Sequence, residues 1–223
     1  QGLAIAPNNS PEIRQCIDEL YEQGIPVITF NSDAPGSRRL AFIGMDNYRA
    51  GQTAAGLLRL MLPAGGKVLP LAGHLNNTAH NNRLNGFMDT INGETGNEIE
   101  LLAFQPCYDR DDYAHEITQH ALRANPDLTG IYVASNGQVG ACAAVEEEGR
   151  KGKVKVVAFD LNPMNMELLQ SDSLSFVLDQ QGYRPPFLLF DYLQNRKAPE
   201  KELLYTDIAI KTKFNSDKPV GME

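Results

Sequence analysis

The chain has 223 residues, 42% of them hydrophobic, with a formal net charge of −8 and a pI near 5.0. That length suits one large domain or two small ones, and the acidic balance argues against a surface built to grip nucleic-acid phosphates, which needs clustered Lys and Arg. No apolar run approaches the ~18 residues of a membrane span, and no charged-then-apolar leader opens the chain.

In chain order, residues 1–6 read as the interior of a strand, which implies sequence upstream of Gln1. Ser10 and Pro11 open a helix as N-cap and first helical residue, with Ile13, Ile17, Leu20 and Tyr21 as its buried stripe and Gly24 as its stop. Residues 25–30 form a strand with Pro26 at its start, and a polar turn leads to a second strand at 40–44. In that turn Arg38-Arg39 reads as a pair of solvated loop charges, as does Lys151-Gly152-Lys153 further on. Asp46 caps the next helix, whose stripe is Ala50, Ala54, Leu57, Leu58 and Met61. A tight turn at Gly65-Gly66 precedes a strand at 67–71, and a helix over 78–91 turns Leu84, Phe87, Met88 and Ile91 inward. Then come a strand at 99–104, a helix at 112–124 with Tyr113, Ile117 and Ala121 on one face, a strand at 128–134 and a helix at 138–148. A strand at 154–159, a short helix at 163–169, a strand at 174–178, a helix at 185–194 and an extended stretch at 203–213 complete the list before a polar tail. Cys16, Cys107 and Cys142 show no disulfide or zinc spacing. Cys16 and Cys142 fall in helical apolar patterns and read as buried small hydrophobes. Reduced thiols point to a cytoplasmic location.

Short apolar runs alternating with amphipathic helices imply an α/β fold with parallel strands. In such sheets a ligand lies outside the carboxyl ends of the strands. Polar residues stand there: Asn31 after 27–30, Asn136 after 131–133, Asp160 after 156–159 and Gln180 after 175–178.

Hydrolase chemistry lacks its G-x-S-x-G marker, and Gly65-Gly66-Lys67 lacks the leading Gly and trailing Ser/Thr of a phosphate loop. His115 and His120 do not share a helical face as metal ligands would, and read as surface residues; His74 is either a loop residue or one facing a cleft. No catalytic residue, metal or cofactor is expected. Sugar recognition, by contrast, needs carboxylates and amides for hydroxyls, a guanidinium fork and an aromatic face. Asn31, Arg83, Tyr108, Asn136, Asp160 and Gln180 supply that set. Each has a plainer alternative: an Asx turn for Asn31, a helix cap for Asn136, a surface charge for Arg83 and a half-buried loop aromatic for Tyr108.

Four segments carry a family resemblance. They are Ile25-Pro26-Val27-Ile28-Thr29-Phe30-Asn31, Ile43-Gly44-Met45-Asp46-Asn47-Tyr48-Arg49-Ala50-Gly51, Asn82-Arg83-Leu84-Asn85-Gly86-Phe87, and Val156-Val157-Ala158-Phe159-Asp160. In order, they resemble the type I periplasmic-binding-protein fold, shared by ribose-type sugar-binding proteins and the sensor domains of LacI/GalR-family transcriptional regulators. The resemblance implies two α/β lobes with parallel sheets: residues 1–45 plus 181–208, with the family's first strands missing, and residues 46–180 plus 209–223. Crossovers near Met45, Gln181 and Ile208 would form the hinge. By the same resemblance, Arg83, Asn136, Asp160 and Gln180 fall where such proteins hold sugar hydroxyls, and Tyr108 where they stack an aromatic on the ring. Asn81 and Asp46 lie near the same cleft. Asn31-Ser32-Asp33 departs from the Asp-Arg that ribose-type binders often carry, which leaves the sugar open. The segment running on to Leu40 is more similar to the regulator branch. That implies a cytoplasmic homodimer whose sugar or polyol effector modulates DNA binding through a separate helix-turn-helix domain. The alternative is the sugar-binding component of an ABC uptake transporter.

Overall fold

A computed structural model describes residues 2–74, 76–93, 98–180 and 202–216. The chain builds β1 (Leu3–Ile5), α1 (Pro11–Glu22), β2 (Val27–Phe30) and β3 (Ala41–Met45), then α2 (Asn47–Met61), β4 (Gly66–Ala72) and α3 (Thr78–Gly93). It continues through β5 (Ile99–Leu101), β6 (Gln105–Pro106), α4 (Asp111–Ala124), β7 (Leu128–Val133), α5 (Gln138–Glu147) and β8 (Lys155–Phe159). Last come α6 (Pro163–Gln170), β9 (Phe176–Asp179), β10 (Leu203–Thr206) and β11 (Ala209–Lys211). The strands form two sheets, one per lobe of an α/β fold. A four-stranded parallel sheet runs β1-β2-β3-β10, and a seven-stranded sheet runs β11-β9-β8-β7-β4-β5 with β6 also on β4. Only β11 is antiparallel to its neighbour in that second sheet. The chain passes between the sheets at Met45–Asn47 and again between Thr206 and Ala209.

Local chemistry sets the helix starts. Ser10 Oγ accepts from the Ile13 N–H at 3.3 Å, Asp46 from Arg49 at 3.1 Å and Asn162 from Asn165 at 2.9 Å. Side-chain alternation along the second sheet then builds two cores. Leu69, Leu71, Ile131, Val133 and Val156 face α4 and α5, while Val68, Tyr132, Val157 and Phe159 face α2 and α3. Phe87 of α3 stacks on Tyr132 with ring centroids 3.9 Å apart. The α2–α3 contact depends on two glycines. A Cβ on Gly51 would stand 2.1 Å from the Arg83 carbonyl oxygen, and one on Gly86 2.1 Å from that of Tyr48. Tyr132 Oη donates to the same Arg83 carbonyl at 3.0 Å, so the turn of α3 that carries Arg83 is held from two sides.

The structure corrects several expectations. Cys16 is exposed, and Tyr21 is 49% exposed under the Arg38 guanidinium rather than in a buried stripe. At 3.6 residues per turn Cys16 and Tyr21 lie on either flank of the Ile13–Ile17–Leu20 line, and of the residues of α1 Ile17 alone is buried. Tyr113 is likewise exposed at 42%, beneath Arg110. Arg39 is no solvated loop charge: its side chain is 3% exposed and bonds Asp33 and Glu202. The strand expected over 99–104 ends at Leu101 as β5, and the chain rejoins β4 only beyond it, as β6 at Gln105–Pro106. Pairing with β4 jumps from Val68↔Leu101 to Leu71↔Gln105, which loops out one residue as a bulge. The helix expected at 185–194 lies outside the described residues.

Candidate ligand-binding cleft

Four non-glycine residues at the carboxyl ends of strands have left-handed backbone: Asn31 after β2, Tyr108 and Asp109 after β6, and Asp160 after β8, with φ of 61°, 55°, 60° and 68°. Asn and Asp tolerate that region better than most residues; for Tyr108 it is a strained setting. Together with Arg83 of α3 these residues are the candidate site.

Arg83 is only 2% exposed. Its Nε donates to Asn47 Oδ1 at 2.8 Å, its Nη1 reaches the Ala134 carbonyl at 3.5 Å, and its guanidinium carbon sits 4.0 Å above the Phe159 ring. Its Nη2 is buried without a hydrogen-bond partner among the described residues. Burial lowers the Arg83 pKa, against the opposing charges of Asp160 and Asp109, but guanidinium remains charged in proteins. Asp160 is fixed by its own backbone: Asn165 Nδ2 donates to the Asp160 carbonyl at 2.7 Å and to that of Phe159 at 2.9 Å. Its Oδ1 accepts from Gln180 Nε2 at 2.6 Å. Asp160 and Gln180 are thus hydrogen-bonded to each other, and Arg83, over the Phe159 ring, feels the Asp160 charge without bonding it.

The other residues join less directly. The Asn31 carbonyl accepts from Asn47 Nδ2 at 3.4 Å, and Asn47 in turn holds Arg83. The Asn136 N–H donates to Asp109 Oδ1 at 3.1 Å, while its carbonyl accepts from Ser135 Oγ at 2.9 Å. Tyr108 is a rim aromatic, 46% exposed, its ring 5.6 Å from that of His74 and 6.0 Å from that of Tyr113. Sequence reasoning passed over Asn47, His80 and Asp109. His80 stands one helical turn before Arg83 on the same face, a spacing visible in the sequence, and Asp109 simply adjoins Tyr108.

The two lobes touch each other. Thr78 Oγ1, at the start of α3, lies 3.0 Å from Ser32 Oγ, 3.1 Å from the Asp33 N–H and 3.0 Å from the Asp33 carbonyl. Asp33 is itself clamped by Arg39. A crevice of about 330 Å³ beside this contact is lined by Arg39, Asp46, Asn82 and Tyr205, among others. Among the described residues no three His, Cys, Asp or Glu side chains gather to hold a metal, and no helix is long and apolar enough to cross a membrane.

The family described as "Periplasmic binding protein domain" matches residues 1–194. The D-allose-binding periplasmic protein of Escherichia coli K12 is 27% identical over 190 residues, covering 81% of this chain and 60% of that protein. The ribose import binding protein of the same strain is 27% identical over 180 residues, 80% of this chain and 59% of its own length. The chain therefore spans about three fifths of these curated relatives. A sugar ABC transporter sugar-binding protein from Bacillus halodurans superposes with a TM-score of 0.85 at 29% identity, over 97% of this chain and 79% of that one. An ABC transporter solute-binding protein from Burkholderia graminis C4D1M, in complex with D-arabinose, gives 0.90 at 26% identity, over 98% and 78%. These relatives contradict the expected cytoplasmic location, since the first is periplasmic by name and the second is an import protein. Three of the four are import or ABC transporter proteins by name, where the sequence pattern favoured a regulator.

Proposed function

Because the chain belongs to the periplasmic binding protein domain family, we propose that it binds a neutral sugar between its lobes as the solute-binding element of an ABC uptake system outside the cytoplasm. The observation that carries this is the buried Arg83, whose Nη2 has no partner among the described residues, set beside the Asp160–Gln180 pair at the strand ends. A guanidinium and a carboxylate so placed offer charge-assisted hydrogen bonds to hydroxyls, among the strongest available to a neutral ligand. Asn31 on the first lobe and Asn136 on the second supply further amide and backbone groups, and Tyr108 an apolar face at the rim. The relatives named for D-allose and ribose, and the one solved with D-arabinose, support a monosaccharide.

In this reading residues 1–45 plus 181–208 act as one lobe and 46–180 plus 209–223 as the other, and the ligand favours the closed arrangement because both lobes contact it. The proposal needs neither a DNA partner nor a homodimer; both accompany the regulator reading, which the import proteins among the relatives do not support. Isothermal titration calorimetry of the full-length protein against D-ribose, D-allose and D-arabinose tests it. Binding of one of them, weakened about a hundredfold or more by Asp160→Ala with the fold retained, is the expected result. A protein that binds none of them refutes it.

A further inference from the structure

Besides the six residues discussed, the cleft holds two polar groups that face each other across a gap. His80 Nε2 stands 3.9 Å from Asp109 Oδ1, with the side chains 13% and 26% exposed. The separation exceeds a hydrogen bond, yet one oxygen about 2.8 Å from each atom fits between them. We infer that His80 and Asp109 form a hydroxyl-reading subsite, in which one sugar hydroxyl accepts from the imidazole N–H and donates to the carboxylate. The inference rests on the sugar-binding reading above and names a pair within that site that determines specificity.

Three features of the surroundings support it. Gly73, at the end of β4, leaves the space in which the pair converges: a Cβ there would lie 2.6 Å from both His80 Nδ1 and Asp109 Oδ2. Asp109 is aimed by its left-handed backbone and by the Asn136 N–H on Oδ1. His80 is aimed by α3, whose start Asn77 caps by accepting from the N–H groups of Ala79 and His80 at 2.9 and 3.3 Å. The ring itself has no structural debt to these neighbours. Its Nδ1 is buried without a hydrogen-bond partner among the described residues, so a polar imidazole sits where an apolar ring would pack at lower cost. Burial also pushes the His80 pKa down to about 4. At neutral pH the ring is therefore uncharged, with one donor and one acceptor. With the proton on Nε2, the orphan is a bare acceptor, the less costly kind to leave unpaired.

His80→Phe and Asp109→Asn test the subsite by calorimetry on the full-length protein. The ligands are D-ribose, D-allose and D-arabinose, and then the monodeoxy analogues of whichever binds. His80→Phe keeps the ring volume, and Asp109→Asn keeps an acceptor for the Asn136 N–H. Wild type should reject one deoxy analogue about tenfold or more relative to its parent. His80→Phe should bind the parent about tenfold more weakly and lose that discrimination, while melting no lower than wild type. Variants that match wild type on the parent and on every analogue overturn the subsite and leave the sugar-binding reading standing. A wild-type protein that binds none of the three sugars overturns both.

Discussion

Replacing His80 with Phe should remove a measurable part of the acid sensitivity of folding. In the folded chain burial lowers the His80 pKa from 6.5 to about 4, with Arg83 and His74 opposing the proton as well and Asp109 and Asp160 favouring it. The unfolded chain thus takes up a proton at His80 below about pH 6.5, while the folded chain resists until near pH 4. Above that window the imidazole is neutral in both states and carries no proton-linked penalty; stability is lost as pH falls through it. At ~1.36 kcal/mol per pKa unit the loss is about 3 kcal/mol. Urea unfolding followed by circular dichroism, repeated from about pH 7.5 to about pH 4.5, measures this directly. Carboxylates titrate in both proteins, so the difference between wild type and His80→Phe isolates the imidazole. Wild type should lose about 3 kcal/mol more than the variant across that range. Parallel curves would show that His80 is not held neutral by burial, and the donor–acceptor argument for the hydroxyl subsite would lose its footing.

Arg83→Met should abolish sugar binding, seen as the loss of a calorimetric signal, while circular dichroism reports an unchanged fold; retained affinity would remove the guanidinium from the site. Thr78→Val deletes the hydroxyl that bonds the Asp33 N–H and carbonyl across the lobes. The unliganded protein should open, with a larger radius of gyration by small-angle X-ray scattering and an affinity a few-fold weaker. Gly51→Ala places a methyl 2.1 Å from the Arg83 carbonyl. It should cost about 1–3 kcal/mol in urea unfolding by forcing α2 and α3 apart, and should weaken binding because Arg83 moves with α3.

Much of the fold is legible because its determinants are local. Ser10, Asp46 and Asn162 cap their helices through residues three positions on, and the strands are marked by apolar runs that end in Asn, Asp or Gln. What was misread depends on neighbours distant in sequence. Arg39 looks like a loop charge until Glu202 and the Asp33 turn close over it. Tyr21 and Cys16 flank the Ile13–Ile17–Leu20 line of α1, and how wide a stripe is covered is decided by the tertiary packing. The same limit governs the cleft. Residues at strand ends announce themselves by position. The meeting of His80 with Asp109 requires β6 to pair beside β4 and α3 to return over Gly73, which no spacing in the sequence encodes.

The energetics of Arg83 explain why the cleft is more than a gap between lobes. A buried guanidinium is costly unless its donors are met. Here Asn47 takes Nε, the Ala134 carbonyl takes Nη1 at long range, the Phe159 face offsets part of the charge, and Asp160 supplies a nearby anion. The protein leaves Nη2 unmet among the described residues, as it does His80 Nδ1. Both orphaned nitrogens belong to side chains of α3, and that helix is fastened to α2 at Gly51 and Gly86 and to β7 by Tyr132 Oη. A helix secured that firmly cannot relax to satisfy them. In the proposed sugar site, a hydroxyl that reaches the Arg83 donor would gain a charge-assisted bond without the cost of ordering the side chain. Rigid packing of α3 against α2 and Tyr132 would then be what makes the site selective for a guest rich in hydroxyls.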